Sequence, residues 1–403
     1  MHVCVLGAGI VGLATAYSLR RAGHEVTVVD RASPGSGASG GNGAQLSYSY
    51  VQPLADPGIW RQLPKLLLSP SSPFKLRPRL DMRQWLWGTQ FLAACNGTTS
   101  RNTTAQLLAL AASSRQSFEA MMNQEKLDCD FSASGKLVLY SDGASFAAAC
   151  RQMLLQRELG STQEAVNADR CVEIEPALKS RHAQIAGAIH TPGECAADCQ
   201  KTCDALLAVL RRQGVRFLLD TPVRQLVLRG KSVVAVATPQ GLVEADQYVM
   251  ALGVDSPRMA RALGVHLPVY PLKGYSITVE VDEQARTAPA VSVTDSARKV
   301  VFARIGSRLR VAGMAELSGY DTTIAPAQIA SLKASAQTLF PKCSAFADLS
   351  PWAGMRPATP TGLPVIGRRP GAPTNLLFNT GHGALGFTLA FGSAQRISGL
   401  LSH

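Results

Sequence analysis

The sequence has no long apolar run that is free of charge. No stretch of about 18 residues or more meets that condition, so the sequence predicts no transmembrane helix. The apolar opening, residues 3–19, also lacks the basic start and the A-x-A-like cleavage site of a secretory signal, and we expect it to be retained. Together these absences predict a cytoplasmic protein.

A cysteine framework is also missing. The nine cysteines are an odd number without regular spacing, which favours reduced thiols over disulfides when no export signal is present. Cys195, Cys199 and Cys203 recur at every fourth residue, but in a helix the outer two would lie about 12 Å apart along the axis. One ion does not bridge that distance, so we expect no metal site.

Acidic residues are few. The chain has 28 Asp and Glu against 40 Lys and Arg, which gives a net charge of +12. The basic residues are mostly dispersed and no nucleic-acid-binding motif occurs, so we expect no nucleic-acid partner. One segment, residues 61–87, is denser and also contains leucines and tryptophans; its basic residues are Arg61, Lys65, Lys75, Arg77, Arg79 and Arg83.

Two interpretations of this basic segment stay open. A cationic surface rich in Leu and Trp suits an anionic lipid surface, which would make the protein peripheral on the cytoplasmic face of the inner membrane. The segment is equally typical of an ordinary basic surface whose aromatic side chains pack in the core.

What the sequence does contain is a dinucleotide-binding fingerprint near its start. A short apolar strand leads into the glycine pattern of residues 7–12 and a helix, and a second strand ends at Asp30. Gly7 permits the tight turn, Gly9 lets the backbone approach a pyrophosphate, and Gly12 lets the helix pack on the strand. The helix N-terminus attracts the phosphates, and a carboxylate at the end of the second strand accepts the ribose hydroxyls. This pattern predicts a bound dinucleotide but does not separate FAD from NAD.

A glycine- and serine-rich loop, residues 35–45, follows the ribose carboxylate. Its backbone donors can wrap a second phosphate and run beneath a flavin where side chains would collide, which favours FAD. Residues 37–41 also satisfy the G-x-S-x-G pattern of a hydrolase nucleophile elbow. That elbow needs a strand before it and a helix after it, and neither is predicted here.

The second half of the chain suggests a substrate domain and a second cofactor contact. Period-two alternation at residues 275–280, 300–304 and 309–313 predicts a half-buried antiparallel sheet. Arg356 lies in a stretch framed by glycine and prolines, and a guanidinium is the natural partner of a substrate carboxylate. Residues 379–387 form a glycine-rich turn that feeds a helix, whose N-terminus could stabilise the reduced flavin. An ion-paired Arg356 at the surface and a spacer role for His382 stay open as alternatives.

In combination these motifs resemble the small, FAD-binding subunit of bacterial D-amino acid dehydrogenase. That family belongs with D-amino acid oxidase, glycine oxidase and sarcosine oxidase. The resemblance runs over nearly the whole chain and includes the segments 270–276 and 308–316. It implies an α/β fold with a doubly wound, Rossmann-like FAD-binding domain and an interleaved α+β substrate domain built on an antiparallel sheet. We assign residues 1–80, 165–265 and 345–403 to the FAD-binding domain, and residues 81–164 and 266–344 to the substrate domain.

The resemblance also implies an activity. A hydride would pass from the Cα of a small amino acid to flavin N5, and the imino acid would hydrolyse to a 2-oxo acid and ammonia. The electrons would leave to a quinone or another acceptor, or to oxygen. A related glycine, sarcosine or hydroxyproline enzyme, or a flavoprotein subunit of a larger oxidoreductase, would carry the same motifs. We expect the FAD to be non-covalent because neither glycine-rich loop nor the C-terminal turn contains a cysteine.

The predicted site residues follow from the motifs and the resemblance. The resemblance assigns carboxylate binding to Arg356, with Tyr50 and Tyr275 as further candidates, and His382 completes the predicted catalytic group. The predicted cofactor-binding residues are Gly7, Gly9, Ile10, Val11, Gly12, Asp30, Arg31, Ser39, Asn42, Gly43, Gln45, Val223, Gly253, Gly381, Gly383, Leu385, Gly386 and Phe387.

Overall fold

The computed structural model describes residues 1–51, 53–60, 74–158, 160–281 and 287–402. In chain order the strands are β1 (His2–Leu6), β2 (Glu25–Val29), β3 (Gln45–Leu46), β4 (Phe74–Leu76), β5 (Lys136–Tyr140), β6 (Glu164–Val166), β7 (Gly187–Thr191), β8 (Cys195–Ala196), β9 (Arg216–Leu218), β10 (Gln225–Arg229), β11 (Ser232–Thr238), β12 (Gly241–Glu244), β13 (Gln247–Met250), β14 (Tyr270–Glu280), β15 (Ser292–Asp295), β16 (Val300–Ile305), β17 (Arg308–Leu317), β18 (Leu349–Ala358), β19 (Val365–Gly367) and β20 (Leu376–Thr380). The α-helices are α1 (Ile10–Arg21), α2 (Met82–Ala94), α3 (Gly97–Glu125), α4 (Gly143–Glu158), α5 (Ala168–Ile174), α6 (Cys199–Arg212), α7 (Ser256–Arg261), α8 (Pro326–Leu339) and α9 (Gly386–Gly399), with 3-10 helices at Pro176–Gln184, Gly253–Asp255 and Gly383–Leu385.

A mostly parallel sheet forms the first layer, in the strand order β19-β20-β13-β1-β2-β9. Strands β1 and β2 are short runs rich in valine whose side chains are almost all buried, as expected for a sheet that is covered on both faces. Helix α1 shares one apolar core with α9 and α6. Because β1, β2, β13 and β20 run parallel, their carboxyl ends lie at the same edge of the sheet.

A mixed, mainly antiparallel sheet forms the second layer, in the order β18-β14-β17-β16-β15-β5-β7-β6, with β4 beside β17. Successive side chains of a strand point to opposite faces. The outer face carries Tyr275, Ile277 and Phe302, which pack with α8 in a second apolar core. The other face, called the inner face here, carries the paired residues Ser276, Ala312, Val301, Thr294 and Val138.

These two layers confirm the predicted fold class, and the predicted strands at residues 275–280, 300–304 and 309–313 are present. The division into domains stays a prediction. By sheet membership β4, β7, β18 and the last two residues of β6 lie in the antiparallel sheet, although they fall in the ranges assigned to the FAD-binding domain. Two smaller sheets, β10-β11-β12 and β3-β8, complete the described strands.

Three further observations bear on the sequence predictions. Among the described residues, no helix combines the length and apolar character needed to span a bilayer. Within the same ranges no three His, Cys, Asp or Glu side chains gather as a metal site would require. All nine cysteines are free thiols, and eight of them are buried.

Candidate active site

The N-terminal fingerprint forms a turn that only glycine can occupy. Gly7 has φ +112°, and a Cβ there would overlap the carbonyl oxygen of Ala251. A Cβ at Gly12 would overlap the carbonyl oxygen of Gly7, so this position lets α1 pack directly on the turn. The turn therefore brings the start of α1 to the carboxyl edge of the parallel sheet, where α/β proteins bind nucleotides.

Asp30 follows β2 at that same edge. Its carboxylate accepts hydrogen bonds from Ala8 N at 2.5 Å and Ala32 N at 3.0 Å, which fixes its orientation beside the glycine turn. Arg31 forms an ion pair with Asp255 at 2.9 Å, and its side chain is 64% exposed. Asp30 is thus placed to accept hydroxyl donors, whereas Arg31 lies at the rim.

Two helix N-termini at this edge have no side-chain cap, and both match predicted cofactor contacts. The residues before α1 and α9 are Gly9 and Leu385, and neither cap position is satisfied by a side chain. Free N–H groups at a helix start attract phosphates and other anions. In α1 the N–H of Ile10 is already used, because it donates to Ser39 Oγ at 3.1 Å and so ties the glycine-rich loop to the helix start next to Val11.

The glycine-rich loop lies between α1 and the inner face of the antiparallel sheet. Ser276 donates to the Gly41 carbonyl at 2.7 Å, and Arg310 donates to the Asn42 carbonyl at 2.8 Å. Two predicted cofactor-binding side chains make local contacts here. Asn42 accepts from Ala44 N, and the Gln45 amide donates to the sheet. Gly43 lies against Val301 and Ala312. This loop therefore joins the two layers.

The remaining predicted cofactor contacts lie at the ends of β9, β13 and β20. Gly253 and Gly381 follow β13 and β20, with φ +55° and +82°. Val223 follows β9 and packs against the core between the parallel sheet and β10-β11-β12. Four further predicted contacts lead from β20 into α9: Gly383, Leu385, Gly386 and Phe387. The ring of the buried Phe387 packs edge to face on that of Phe118, with 6.1 Å between the ring centres. Most of the predicted cofactor-binding residues therefore gather at one edge.

Arg356 is partly buried and has no anionic partner among the described residues. Its guanidinium lies across Gly274 on the inner face, and Nη1 donates to the Met314 carbonyl at 2.7 Å. No carboxylate of the described residues comes within ion-pair distance of it, which excludes the surface ion pair considered above within those ranges. Burial lowers the pKa of Arg356 to about 10, so the side chain stays charged at neutral pH. Desolvation makes a cation with no counter-ion costly unless a ligand supplies one.

His382 is a second buried group without a partner. Its side chain is 2% exposed, and Nε2 has no hydrogen-bond partner among the described residues. Burial lowers the pKa of His382 to about 3, so the imidazole is neutral at physiological pH. A β-bridge between Ala358 and His382 joins the Arg356 strand to the turn before α9. The two C-terminal motifs are therefore adjacent in space.

The two candidate tyrosines lie in different places. Tyr50 follows the glycine-rich loop, and the ammonium of Lys136 lies 4.4 Å from the centre of its ring. Tyr275 lies on the outer face, and its hydroxyl donates to Glu316 at 2.6 Å. Strand alternation places Gly274 and Ser276 on the inner face, so Tyr275 points away from Arg356. The structure does not bring Tyr275 into the group formed by Arg356 and His382.

The sequence reasoning missed Lys136 and Glu194. Lys136 is 3% exposed and donates to Ser47 Oγ at 2.9 Å. Glu194 is 1% exposed and accepts from Tyr48 N at 2.8 Å and Ser49 N at 2.6 Å. Neither residue lies in a motif. The sequence contained one signal for Lys136, which is a lysine at the first position of an otherwise apolar strand.

The chain matches the family described as DAO, FAD dependent oxidoreductase, over residues 2–400. It is 45% identical to D-amino acid dehydrogenase 2 of Ralstonia nicotianae, with 100% of this chain and 97% of the relative covered. It is 46% identical to D-amino acid dehydrogenase 2 of Pseudomonas aeruginosa, with 98% and 94% covered. Neither of these two names designates a small subunit.

Solved structures share the fold at lower identity. Glycine oxidase from Geobacillus kaustophilus superposes with a TM-score of 0.77 at 20% identity, with 99% of this chain and 94% of that chain covered. L-proline dehydrogenase from P. horikoshii gives a TM-score of 0.75 at 18% identity, with 100% and 93% covered. The glycine turn of residues 7–12, the helix starts without side-chain caps, and His382 Nε2, which has no hydrogen-bond partner among the described residues, fit a bound FAD. The chain belongs to the DAO family of FAD-dependent oxidoreductases.

Proposed function

We propose that this protein is a D-amino acid dehydrogenase that deaminates its substrate oxidatively to a 2-oxo acid and ammonia. The partly buried guanidinium of Arg356, which has no anionic partner among the described residues, carries this proposal, because it needs an anion and the substrate's carboxylate supplies one. The identity to dehydrogenases of this name over the whole chain supports the substrate class. Bound FAD supplies the acceptor for the hydride that leaves the substrate Cα.

The protein's own residues bind and orient the substrate. Arg356 pairs with the carboxylate in a bidentate manner, while its bond to the Met314 carbonyl fixes the direction of the fork. Neutral His382 adds no positive charge that would compete for the carboxylate. The amine arrives in its neutral form, so no side-chain base is required. Catalysis then rests on proximity and on electrostatic stabilisation.

A substrate panel on the purified protein tests this function. D-amino acids should be oxidised with an artificial dye as acceptor, whereas L-enantiomers and the decarboxylated amines should react poorly. Glycine, sarcosine and hydroxyproline belong in the panel because a sibling amine enzyme would prefer one of them. Comparing the dye with oxygen distinguishes a dehydrogenase, which would pass electrons to a quinone or another carrier, from an oxidase. Equal rates on acids and amines would refute the carboxylate-binding role.

A peripheral membrane contact is a second part of the proposal. In the described part of the basic segment, Leu80 and Met82 are exposed and Trp85 is 48% exposed, beside Arg77 and Arg79. Residues 61–73, with Arg61 and Lys65, lie outside the described residues. Trp87, in contrast, packs on Phe91 and Tyr270, so part of the aromatic content belongs to the core. We infer that the exposed part contacts anionic lipid.

Vesicle sedimentation tests the membrane contact. The protein should pellet with anionic vesicles and be released by salt, since each basic residue near such a surface contributes about 1 kcal/mol. A Leu80→Ser/Trp85→Ser variant should pellet less. Leu154→Ser/Leu155→Ser is a matched control, because those leucines are similarly exposed on α4. Equal sedimentation with neutral and anionic vesicles would contradict the contact.

A further inference from the structure

Two lysines are buried in the antiparallel sheet, one on each face. Lys273 lies on the outer face, where it donates to the Thr323 carbonyl and lies over the ring of Tyr275 at 5.2 Å. Lys136 lies on the inner face, two residues before Val138, where it donates to Ser47 and lies over the ring of Tyr50. The function proposed above uses neither lysine. Only the inner one faces the side of the sheet that holds Arg356.

Lys136 and Glu194 hold the segment 47–50 from two sides. The Glu194 carboxylate accepts from the backbone N–H groups of Tyr48 and Ser49, and the Tyr50 N–H adds a third hydrogen bond to it. Lys136 contacts the side chains of Ser47 and Tyr50. The lysine and the glutamate do not touch, yet each charge stabilises the other electrostatically. A buried charge pair of this kind fixes the conformation of the segment between its members.

The segment 47–50 also contacts the start of α9. Ser47 N donates to Thr388 Oγ1 at 3.1 Å, and Thr388 lies in the first turn of that helix. Lys136, Ser47 and Thr388 thus form one hydrogen-bonded line from the inner face to the proposed flavin edge. Tyr50 follows directly, so its position depends on this line and on the Lys136 ammonium above its ring.

We propose that Lys136 and Glu194 are positioning residues that hold the Tyr50 side chain against the carboxylate of the bound amino acid. This inference rests on the proposed function, because it takes Arg356 as the carboxylate-binding residue, and it adds Tyr50 to that site. Loss of the Lys136 charge removes the cation–π contact and loosens Tyr50, so ligand affinity falls while the flavin site keeps its own contacts.

Ligand binding to the holoenzyme provides a direct test. Propionate is a suitable probe because it has the carboxylate but no amine, and it does not titrate between pH 7 and 9. Its dissociation constant is measured from the change in flavin absorbance. Burial lowers the pKa of Lys136 to about 8, so binding should weaken as the pH rises through this value. The titratable groups that face Lys136 are Glu194 and Tyr50, and burial raises the pKa of Tyr50 above its usual range.

Three variants test whether the pH dependence of propionate binding comes from the charge of Lys136. Lys136→Arg keeps its charge, so the weakening near pH 8 should disappear. Glu194→Gln removes the charge that raises the pKa of Lys136, so the weakening should move to lower pH. Tyr50→Phe should bind propionate weakly at every pH, with no change near pH 8. An unchanged profile in Lys136→Arg or in Glu194→Gln would overturn the proposal, and so would its persistence in Tyr50→Phe.

A matched pair of substitutions provides the second measurement. Lys136→Met should weaken propionate binding about fivefold at pH 7, as expected for a lost cation–π contact, and should raise KM more than it lowers kcat. It should also speed amide hydrogen exchange at residues 48–50 in the holoenzyme. Lys273→Met removes an equally buried lysine from the outer face and should change neither quantity. Equal effects of the two substitutions would mean that Lys136 only stabilises the fold.

The outcome for Arg356 separates this inference from the function on which it rests. If Arg356→Ala abolishes propionate binding while the Lys136 variants bind normally, only the positioning role fails. If Arg356→Ala binds propionate as well as the wild type, the proposed carboxylate site itself is wrong.

Discussion

The guanidinium of Arg356 lies directly across Gly274, so closely that a Cβ at position 274 would overlap Nη2 and Cζ. The two residues belong to the paired strands β18 and β14. Gly274 therefore provides the space in which the proposed carboxylate-binding group lies flat on the inner face.

This relationship predicts the effect of Gly274→Ala. The added methyl group should displace the guanidinium and lower kcat/KM by about tenfold or more, since about 1.4 kcal/mol of lost transition-state stabilisation is a factor of ten. FAD content should stay constant. Gly97→Ala is a control, because a Cβ there meets no atom within 4 Å. Normal kcat/KM in Gly274→Ala would show that Arg356 does not need its present position.

Removing the Arg356 side chain itself should have a larger effect. Loss of one partner of a buried charge pair costs about 2–5 kcal/mol, so Arg356→Ala should lower kcat/KM by about 30-fold or more. Arg356→Lys should recover only part, because an ammonium cannot form the planar fork. The measurement is steady-state kinetics on a D-amino acid and on its decarboxylated amine. A loss of FAD before a loss of activity would contradict the proposed role.

How much of the site the sequence could predict depends on distance along the chain. The fingerprint from Gly7 to Asp30 is local, and its turn, helix and carboxylate lie where its spacing predicts them. The face of Tyr275 was not predictable, because alternation shows which residues share a face but not which face points inward. Lys136 and Glu194 are 58 positions apart, and only the pairing of β5 with β7 brings them together. No local pattern contains that information.

The ribose-binding role of Asp30 predicts a cofactor phenotype. Hydrogen bonds to an ionised acceptor contribute about 1.5–3 kcal/mol, so Asp30→Ala should weaken FAD binding by at least about tenfold. Arg31→Ala should have little effect, because its ion pair with Asp255 is largely exposed. Flavin retention on dilution, followed by fluorescence, measures both. Full retention in Asp30→Ala would mean that the fingerprint does not bind the adenosine half.

Non-covalent attachment of FAD is tested by denaturation. Acid or heat should release all flavin into the supernatant and leave a colourless precipitate. No cysteine occurs in the sequence of either glycine-rich loop or of the C-terminal turn, which is why we expect no covalent bond to the flavin. Yellow precipitate after washing would refute non-covalent attachment without affecting the identity of the cofactor.

The burial of His382 predicts how stability depends on pH. Its folded-state pKa is lowered to about 3, whereas the unfolded chain has the ordinary value near 6.5. Below pH 6.5 the unfolded chain therefore binds a proton that the folded chain does not, so stability falls as the pH falls. At pH 5 this amounts to about 2 kcal/mol, at 1.36 kcal/mol per pH unit.

His382→Asn removes that proton-binding group, so its holoenzyme should lose about 2 kcal/mol less than the wild type between pH 7.5 and pH 5. Urea unfolding of both proteins at a fixed excess of FAD measures the difference. His182→Asn replaces an imidazole that is 48% exposed and should leave the wild-type dependence unchanged. If the gap between wild type and His382→Asn is the same at both pH values, His382 takes up its proton in the folded protein. The imidazole would then be a cation beside Arg356, and its neutral role in the proposed site would be wrong.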